Sequence, residues 1–220
     1  MITKDKMHDE LELKEKIIQK SAEMFHQFGC AKVSMEEIAS ALGMSKKTLY
    51  KHFSNKEHLL NEIFSSISLQ TEDYTNNLFA NKNYSYVQKV KLMLEYVSEH
   101  IGKFKGPMMG DLQTYYPKIW EKIHLFMKKK AWEKFTLLVD EGVEHGIFRS
   151  DINKNIVVLM YVFSLQNLLT PEVLAQVPLS ADQVYNTLIN VIFEGILTED
   201  GRKKFSETEN EQTEETPNVA

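Results

Sequence analysis

The sequence is poor in cysteine and has no long apolar run. Its single cysteine, Cys30, cannot form an internal disulfide and has no Cys-x-x-Cys partner for a redox or metal site, which fits a reducing compartment. The longest apolar runs, such as Ile156 to Leu165, are too short to span a bilayer, and the first twenty residues are rich in charge. We therefore expect a cytoplasmic protein with no signal peptide, no transmembrane helix and no membrane partner.

Proline and glycine are also scarce, at five and nine of 220 residues. They fall mostly between segments with 3.6-residue apolar periodicity, and no stretch alternates like a β-strand, so we predict an all-α fold. Hydrophobic residues, at 43%, suffice for a packed core and exclude global disorder. About nine helices are expected, at 9–28, 35–43, 45–53, 54–79, 85–104, 108–115, 117–145, 153–170 and 181–198, with room for a short extra turn at 171–176.

Serine residues mark several of these helix starts. Ser45 is placed as an N-cap, and capping boxes, in which a serine is followed three residues later by Glu or Gln, begin at Ser34, Ser54 and Ser180. Only Gly43-Met44 separates the second helix from the third, so these two short helices must cross steeply. The pattern predicts an N-terminal helix-turn-helix within a three-helix unit.

One part of this unit has a local excess of positive charge. The net charge is −5, but residues 206–220 contain five acids and no base, so the tail carries the whole deficit and we expect it to be disordered. Residues 45–56 contain four lysines and no acid. Such a patch on a neutral body favours an anionic partner.

The two faces of the third helix differ in chemistry. Apolar residues fit the buried seam of a helix-turn-helix: Ile38, Ala39, Leu42, Met44, Leu49 and Phe53. Lys46 and Tyr50 are four residues apart, as are Lys47 and Lys51, so these four side chains share the opposite face. Lysines attract phosphates and can donate to guanine, and Thr48 can contact a base. We therefore expect this face to enter the major groove of double-stranded DNA.

At this point the sequence resembles the TetR family of transcriptional regulators. The likeness covers about residues 17–64 and is carried by Ile17-Ile18, Ala22, Phe25, Gly29, Ser34, Ile38-Ala39, Gly43-Met44-Ser45, Leu49 to Glu57 and Leu59-Leu60. It implies a DNA-binding set of Ser34, Ser45, Lys46, Lys47, Thr48, Tyr50, Lys51, His52 and Lys56, with Tyr50, His52 and Lys56 on phosphates and Ser45 to Thr48 reading bases. Val33 departs from the family's usual threonine, which removes a hydroxyl contact to phosphate, although Ser34 keeps the cap.

The resemblance also implies that the chain has regions with different functions. We expect a DNA-binding domain at 1–55, a helical ligand-binding and dimerisation domain at 56–198, and an acidic disordered tail at 199–220. Gly146 to Ile152 looks like the turn that precedes the last helix pair in such proteins, which implies a four-helix homodimer interface. Both of those helices are apolar on more than one face, as burial on two sides requires. The predicted interface residues are Val157, Tyr161, Leu188, Ile192 and Phe193.

A stripe of methionine and aromatic residues lies between the fourth and eighth helices. It fits either plain core or an adaptable apolar cavity with a few polar anchors. Since the resemblance implies an effector, we expect a small, largely apolar or aromatic ligand. Candidate contacts are Tyr96, His100, Phe104, Met108, Met109, Gln113, Tyr116, Trp120, His124, Met127, Phe163 and Asn167.

Two other classes of protein compete with this interpretation. A helical-bundle metalloenzyme would use Glu/His ligands, and Glu-x-x-His occurs at Glu23 to His26 and at Glu121 to His124. The first pair lies in the helix-turn-helix unit and the second on a distant helix, so a shared centre is not expected. A protein-binding helical adaptor would leave the lysine face unexplained. We therefore predict a non-enzymatic, ligand-responsive transcriptional repressor, without cofactor or metal, that binds palindromic operator DNA as a homodimer and is released by its effector.

Overall fold

The computed structural model describes residues 4–103 and 107–214. Within these residues the chain forms eleven helices, and the extended pairing consists of an isolated bridge between Phe148 and Leu197. The helices are α1 (Lys4–Phe28), α2 (Met35–Ala41), α3 (Lys46–His52), α4 (Lys56–Ala80), α5 (Tyr86–Lys103), α6 (Pro107–Tyr115), α7 (Pro117–Glu144), α8 (Lys154–Leu168), α9 (Pro171–Leu174), α10 (Ala181–Ile196) and α11 (Glu199–Glu214). The all-α prediction is confirmed. None of the helices so described is both long and apolar enough to cross a membrane.

The helix α11 lies where we predicted a disordered tail, and that prediction is wrong for residues 199–214. Thr198 caps the helix, because its Oγ1 accepts a hydrogen bond of 2.9 Å from the Gly201 N–H. Phe205 anchors it, with its ring centroid 5.8 Å from that of Phe193. The ammonium of the buried Lys91 also donates to the Phe205 carbonyl at 2.5 Å. Residues 215–220 of the predicted tail lie outside the described residues.

The chain divides into two compact units. The first contains the residues up to Tyr74 together with Lys103–Leu125, and the second contains Thr75–Gly102 and the residues from Phe126 onward. The expected boundary after residue 55 therefore lies inside the first unit. The physical reason is that the first half of α4 supplies core residues to the helix-turn-helix, namely Leu59, Leu60, Ile63 and Phe64.

The core of the first unit is built around α1, α2, α3 and the start of α4. Its fully buried members include Ile17, Phe25, Ile38, Leu49 and Phe53. The helix α6 and the first turns of α7 complete this core with Met108, Leu112, Ile119 and Ile123. The predicted seam of the helix-turn-helix is thus confirmed, and α6 is part of the support on which it rests.

The core of the second unit is formed by parts of α5, α7, α8 and α10. Tyr185 and Phe148 are among its fully buried side chains, and Phe135 stacks on Tyr161 with ring centroids 3.9 Å apart. The ring of Phe148 packs against Gly142 so closely that a Cβ there would lie 2.1 Å from it. This core is aromatic and closely packed.

Candidate nucleic-acid interface

The turn between α2 and α3 is specified by hydrogen bonds at both ends of α2. The Ser34 Oγ accepts from the Glu37 N–H at 3.2 Å, and the Glu37 Oε2 accepts from the Ser34 N–H at 2.7 Å, which confirms the capping box. At the other end Gly43, with φ +64°, lets the Met44 N–H reach the Ala39 carbonyl at 2.9 Å. These contacts fix the short connection between α2 and α3.

The two faces of α3 differ in exposure as the sequence predicts. Leu49 and the following Phe53 are fully buried, whereas Lys47, Tyr50 and Lys51 are exposed. His52 is half-buried and lies beside Phe53, with ring centroids 6.4 Å apart. With Lys46, which is also exposed, this face presents three lysines and one phenol, which is the chemistry needed to approach a phosphate backbone.

Several of the predicted DNA-contacting side chains make contacts within the protein. Lys46 forms an ion pair with Glu36 of α2, and its Nζ lies 5.7 Å from the centroid of the Tyr50 ring. The hydrogen bond to Lys46 lowers the pKa of Glu36 and raises that of Lys46, so both stay charged at neutral pH. The hydroxyls of Thr48 and Ser45 are hydrogen-bonded at 2.8 Å, and the Thr48 N–H donates to the same Ser45 Oγ at 3.1 Å.

The start of α4 differs from the prediction. The capping residue is Asn55 and not Ser54, because the Asn55 Oδ1 accepts from the His58 N–H at 2.7 Å. Lys56, predicted to contact phosphate, donates to the carbonyls of Cys30 at 2.8 Å and Ala31 at 3.5 Å. In this structure Lys56 therefore ties the first turn of α4 to the turn after α1.

The same turn is held from its other side by α6. Asp111 accepts a hydrogen bond of 2.8 Å from the Ala31 N–H, and the Cys30 thiol lies 3.8 Å from the Met108 carbonyl. Burial, followed by the negative charge of Asp111, raises the pKa of Cys30 to about 11. No sequence pattern indicated Asp111 or Glu36, since each acts through a neighbour that is distant along the chain or on another helix.

The predicted effector residues are distributed over both units. In the first unit Met108 is buried in the core, Met109, Tyr116 and Trp120 are half-buried against it, and Gln113 is exposed. His124 is half-buried, and its ring centroid lies 5.9 Å from that of Trp120. Met108 therefore acts as a core residue, whereas the half-buried side chains of α6 and α7 keep some accessible surface.

The second unit holds the other candidates. Tyr96 and His100 stack within α5, with ring centroids 3.9 Å apart, while Met127, Phe163 and Asn167 are exposed. Asn167 donates to the Phe163 carbonyl at 2.7 Å. Phe104 lies outside the described residues.

The predicted interface residues require correction. Val157, Tyr161, Ile192 and Phe193 are buried in the core of their own chain, and Leu188 packs against that core half-buried. Burial raises the pKa of Tyr161 to about 12. Because α8 and α10 are apolar on more than one face, their sequences could not indicate which face points away from the core. The exposed apolar side chains of α8 and α10 are Ile156, Met160, Phe163, Leu168 and Val191.

The two Glu-x-x-His pairs do not converge. Glu23 and His26 are both exposed on α1, whereas Glu121 and His124 lie on α7. Across residues 4–103 and 107–214, no group of three or more His, Cys, Asp or Glu side chains could hold a metal ion.

The helix-turn-helix matches a known family. Residues 17–63 match the model described as bacterial regulatory proteins, tetR family. The helix-turn-helix of this chain is therefore of the TetR type. Among its TetR-like relatives, the uncharacterized HTH-type transcriptional regulator YvaF of Bacillus subtilis (strain 168) is 25% identical over 167 residues, covering 76% of this chain and 87% of that protein.

Solved structures show the same fold beyond the DNA-binding region. A transcriptional regulator from Cytophaga hutchinsonii superposes with a TM-score of 0.66 at 20% identity, over 84% of this chain and 98% of that one. The SmeT–triclosan complex superposes with a TM-score of 0.62 at 13% identity, over 84% and 92%. These comparisons relate the chain to DNA-binding transcriptional regulators.

Proposed function

We propose that this protein is a TetR-family repressor that binds palindromic operator DNA as a homodimer and is released by a small apolar or aromatic effector. The observation that carries the proposal is the face of α3, where Lys47, Tyr50 and Lys51 are exposed while Leu49 and Phe53 are fully buried. A rigid, cationic helix face held by capped helices is suited to the major groove. Since its target is chromosomal DNA, we place the protein in the cytoplasm.

The exposed apolar face of α8 and α10 supports the homodimer. Ile156, Met160 and Val191 line a shallow groove, and each is more than half exposed in the single chain. Contiguous exposed apolar surface of this kind is typical of a protein–protein interface. A second copy is the occupant that a two-fold operator requires, because each half-site must be bound by one helix-turn-helix.

The half-buried side chains of α6 and α7 support the effector. Met109, Tyr116 and Trp120 present adaptable apolar surface, and His124 beside Trp120 supplies a polar group. SmeT, which shares the fold, forms a complex with triclosan, a ligand of the aromatic class that we propose here. The helix α6 bears both Met109 and Asp111, so a ligand against Met109 would lie two residues from the carboxylate that accepts the hydrogen bond of Ala31.

The helix α4 supplies a route for the signal. It has 25 residues, from Lys56 in the first unit to Ala80 in the second. At 1.5 Å per residue it is about 37 Å long, so a small tilt becomes a displacement of several ångströms at its end. Operator half-sites lie roughly 34 Å apart, and such a displacement in each protomer would prevent simultaneous binding of both.

The proposal is tested in two steps with the full-length protein. Repeated selection from random duplexes should yield a palindromic site, and native mass spectrometry should show one dimer bound to it. A candidate effector is then titrated with and without saturating operator duplex. Reciprocal coupling requires DNA to weaken effector binding by the same factor by which effector weakens DNA binding. Equal effector affinities in the two titrations would reject ligand control while leaving DNA binding intact.

A further inference from the structure

An acidic side chain lies at the edge of the cationic face of α3. Glu36 is in the first turn of α2, and its carboxylate forms the ion pair with Lys46 at the start of α3. Both side chains are about half exposed, at 52% and 58%, so neither serves the hydrophobic core. The pair therefore lies on the surface, where solvent and DNA can reach it.

An exposed ion pair adds little to the stability of a fold. Such pairs contribute roughly 0–1 kcal/mol, because solvent screens them and two long side chains lose freedom. The pair has a separate effect on DNA binding. A carboxylate next to α3 repels phosphates and engages a lysine that could otherwise bind one. Tyr50 adds to this restraint, because the Lys46 Nζ lies 5.7 Å from the centroid of its ring.

We propose that Glu36 is a specificity-determining residue that holds Lys46 back from the phosphate backbone and so weakens sequence-independent DNA binding more than operator binding. Binding to random DNA consists almost entirely of lysine–phosphate attraction, and a loosely bound protein can use any free ammonium. On the operator, base contacts fix the position of α3 and leave Lys46 less freedom to choose a phosphate. Loss of the carboxylate therefore strengthens random binding in particular.

The test compares Glu36→Gln with a matched control, Glu23→Gln. Glu23 is an exposed carboxylate paired with Lys20 at 3.2 Å, but Lys20 lies on α1 and not on α3. Each variant removes one negative charge and one ion pair. Affinity is measured at several salt concentrations for two probes, a 30-base-pair duplex of scrambled sequence and the duplex recovered by selection, and circular dichroism checks the fold.

Glu36→Gln is expected to bind the scrambled duplex about two- to fivefold more tightly, which corresponds to the free energy of one exposed ion pair. Its plot of log affinity against log salt should steepen by about 0.9, as for one added phosphate contact. Operator affinity should rise less, so the ratio of the two affinities falls. Equal changes in Glu36→Gln and Glu23→Gln, or an unchanged ratio, would overturn the proposal.

A double variant identifies the lysine responsible. If Glu36 acts by holding Lys46, Glu36→Gln should strengthen scrambled-duplex binding in the wild type and have a smaller effect when Lys46 is already Gln. An undiminished effect in the Lys46→Gln background would show repulsion by Glu36 alone and reject the role of the ion pair. Both variants are exposed surface changes, so their folding can be checked independently of DNA binding.

Discussion

The carboxylate of Asp111, on α6, accepts a hydrogen bond of 2.8 Å from the backbone N–H of Ala31, in the turn between α1 and α2. The same carboxylate leaves no room for a side chain on Gly29, because a Cβ there would lie 2.3 Å from the Asp111 Oδ2. Gly29 also has φ +90°, a conformation that other residues rarely adopt. The link between α6 and the helix-turn-helix thus depends on the glycine at this turn.

Gly29→Ala should therefore lower the free energy of unfolding by about 1–3 kcal/mol, through backbone strain and displacement of Asp111. Gly110→Ala is the matched control, because it is in the interior of α6 with no atom within 4 Å of the added Cβ. That change should raise the free energy of unfolding by about 0.5–1 kcal/mol, as expected for alanine in a helix. Urea unfolding measures both, and a loss of stability in both variants would contradict this account.

Lys47 on α3 and Lys56 at the start of α4 should affect DNA binding differently. Lys47→Ala, an exposed change, should alter which operator variants are preferred and leave the melting temperature unchanged. Lys56→Ala should weaken binding to all sequences about equally, and it should also lower stability because Lys56 holds the Cys30 carbonyl at 2.8 Å. Fluorescence anisotropy on a panel of operator variants, together with thermal melts, separates the two effects. A change of sequence preference in Lys56→Ala but not in Lys47→Ala would reverse these assignments.

The proposed interface predicts a contrast between exposed and buried substitutions. Met160→Glu, at a position 54% exposed, should dissociate the dimer and abolish operator binding while the chain stays folded. Phe193→Glu should unfold the second unit, because Phe193 is 5% exposed and packs against Phe148. Leu11→Glu controls for a new charge at an exposed apolar position, since Leu11 is 55% exposed on α1. Sedimentation velocity that shows Met160→Glu and Leu11→Glu to be equally dimeric would rule out this face.

The buried thiol predicts a pH dependence above neutrality. Burial and the charge of Asp111 raise the pKa of Cys30 from an ordinary value near 9 to about 11, so the folded state binds this proton more tightly than the unfolded state. Its contribution to stability is therefore full below pH 9 and is lost as pH rises through 11. Urea unfolding of the wild type and of Cys30→Ala between pH 8 and 11 should show stabilities that converge as pH rises. A constant difference would contradict the raised pKa.

Local signals predicted the fold and the α3 surface well. The capping box at Ser34, the glycine at 43 and the spacing of Leu49 and Phe53 lie within a few residues of the structure they determine. The outward face of α8 was beyond such signals, because apolar residues surround that helix and only its packing against α10 buries Val157 in preference to Met160. The roles of Lys56 and Asp111 depend on contacts with the Gly29–Ala31 turn across 25 to 82 residues of chain, which no local pattern encodes.

The anchoring of α11 makes the segment that follows α10 part of the packed structure. Phe205 lies against Phe193 in the core of the second unit, and its carbonyl accepts a hydrogen bond from the ammonium of Lys91 on α5. A cut after α10, where the apolar periodicity stops, would thus remove a piece of the hydrophobic interior and expose an aromatic ring to water. Proteolysis at that point would expose an apolar, aggregation-prone surface on the second unit, whereas removal of a fully solvated segment would not.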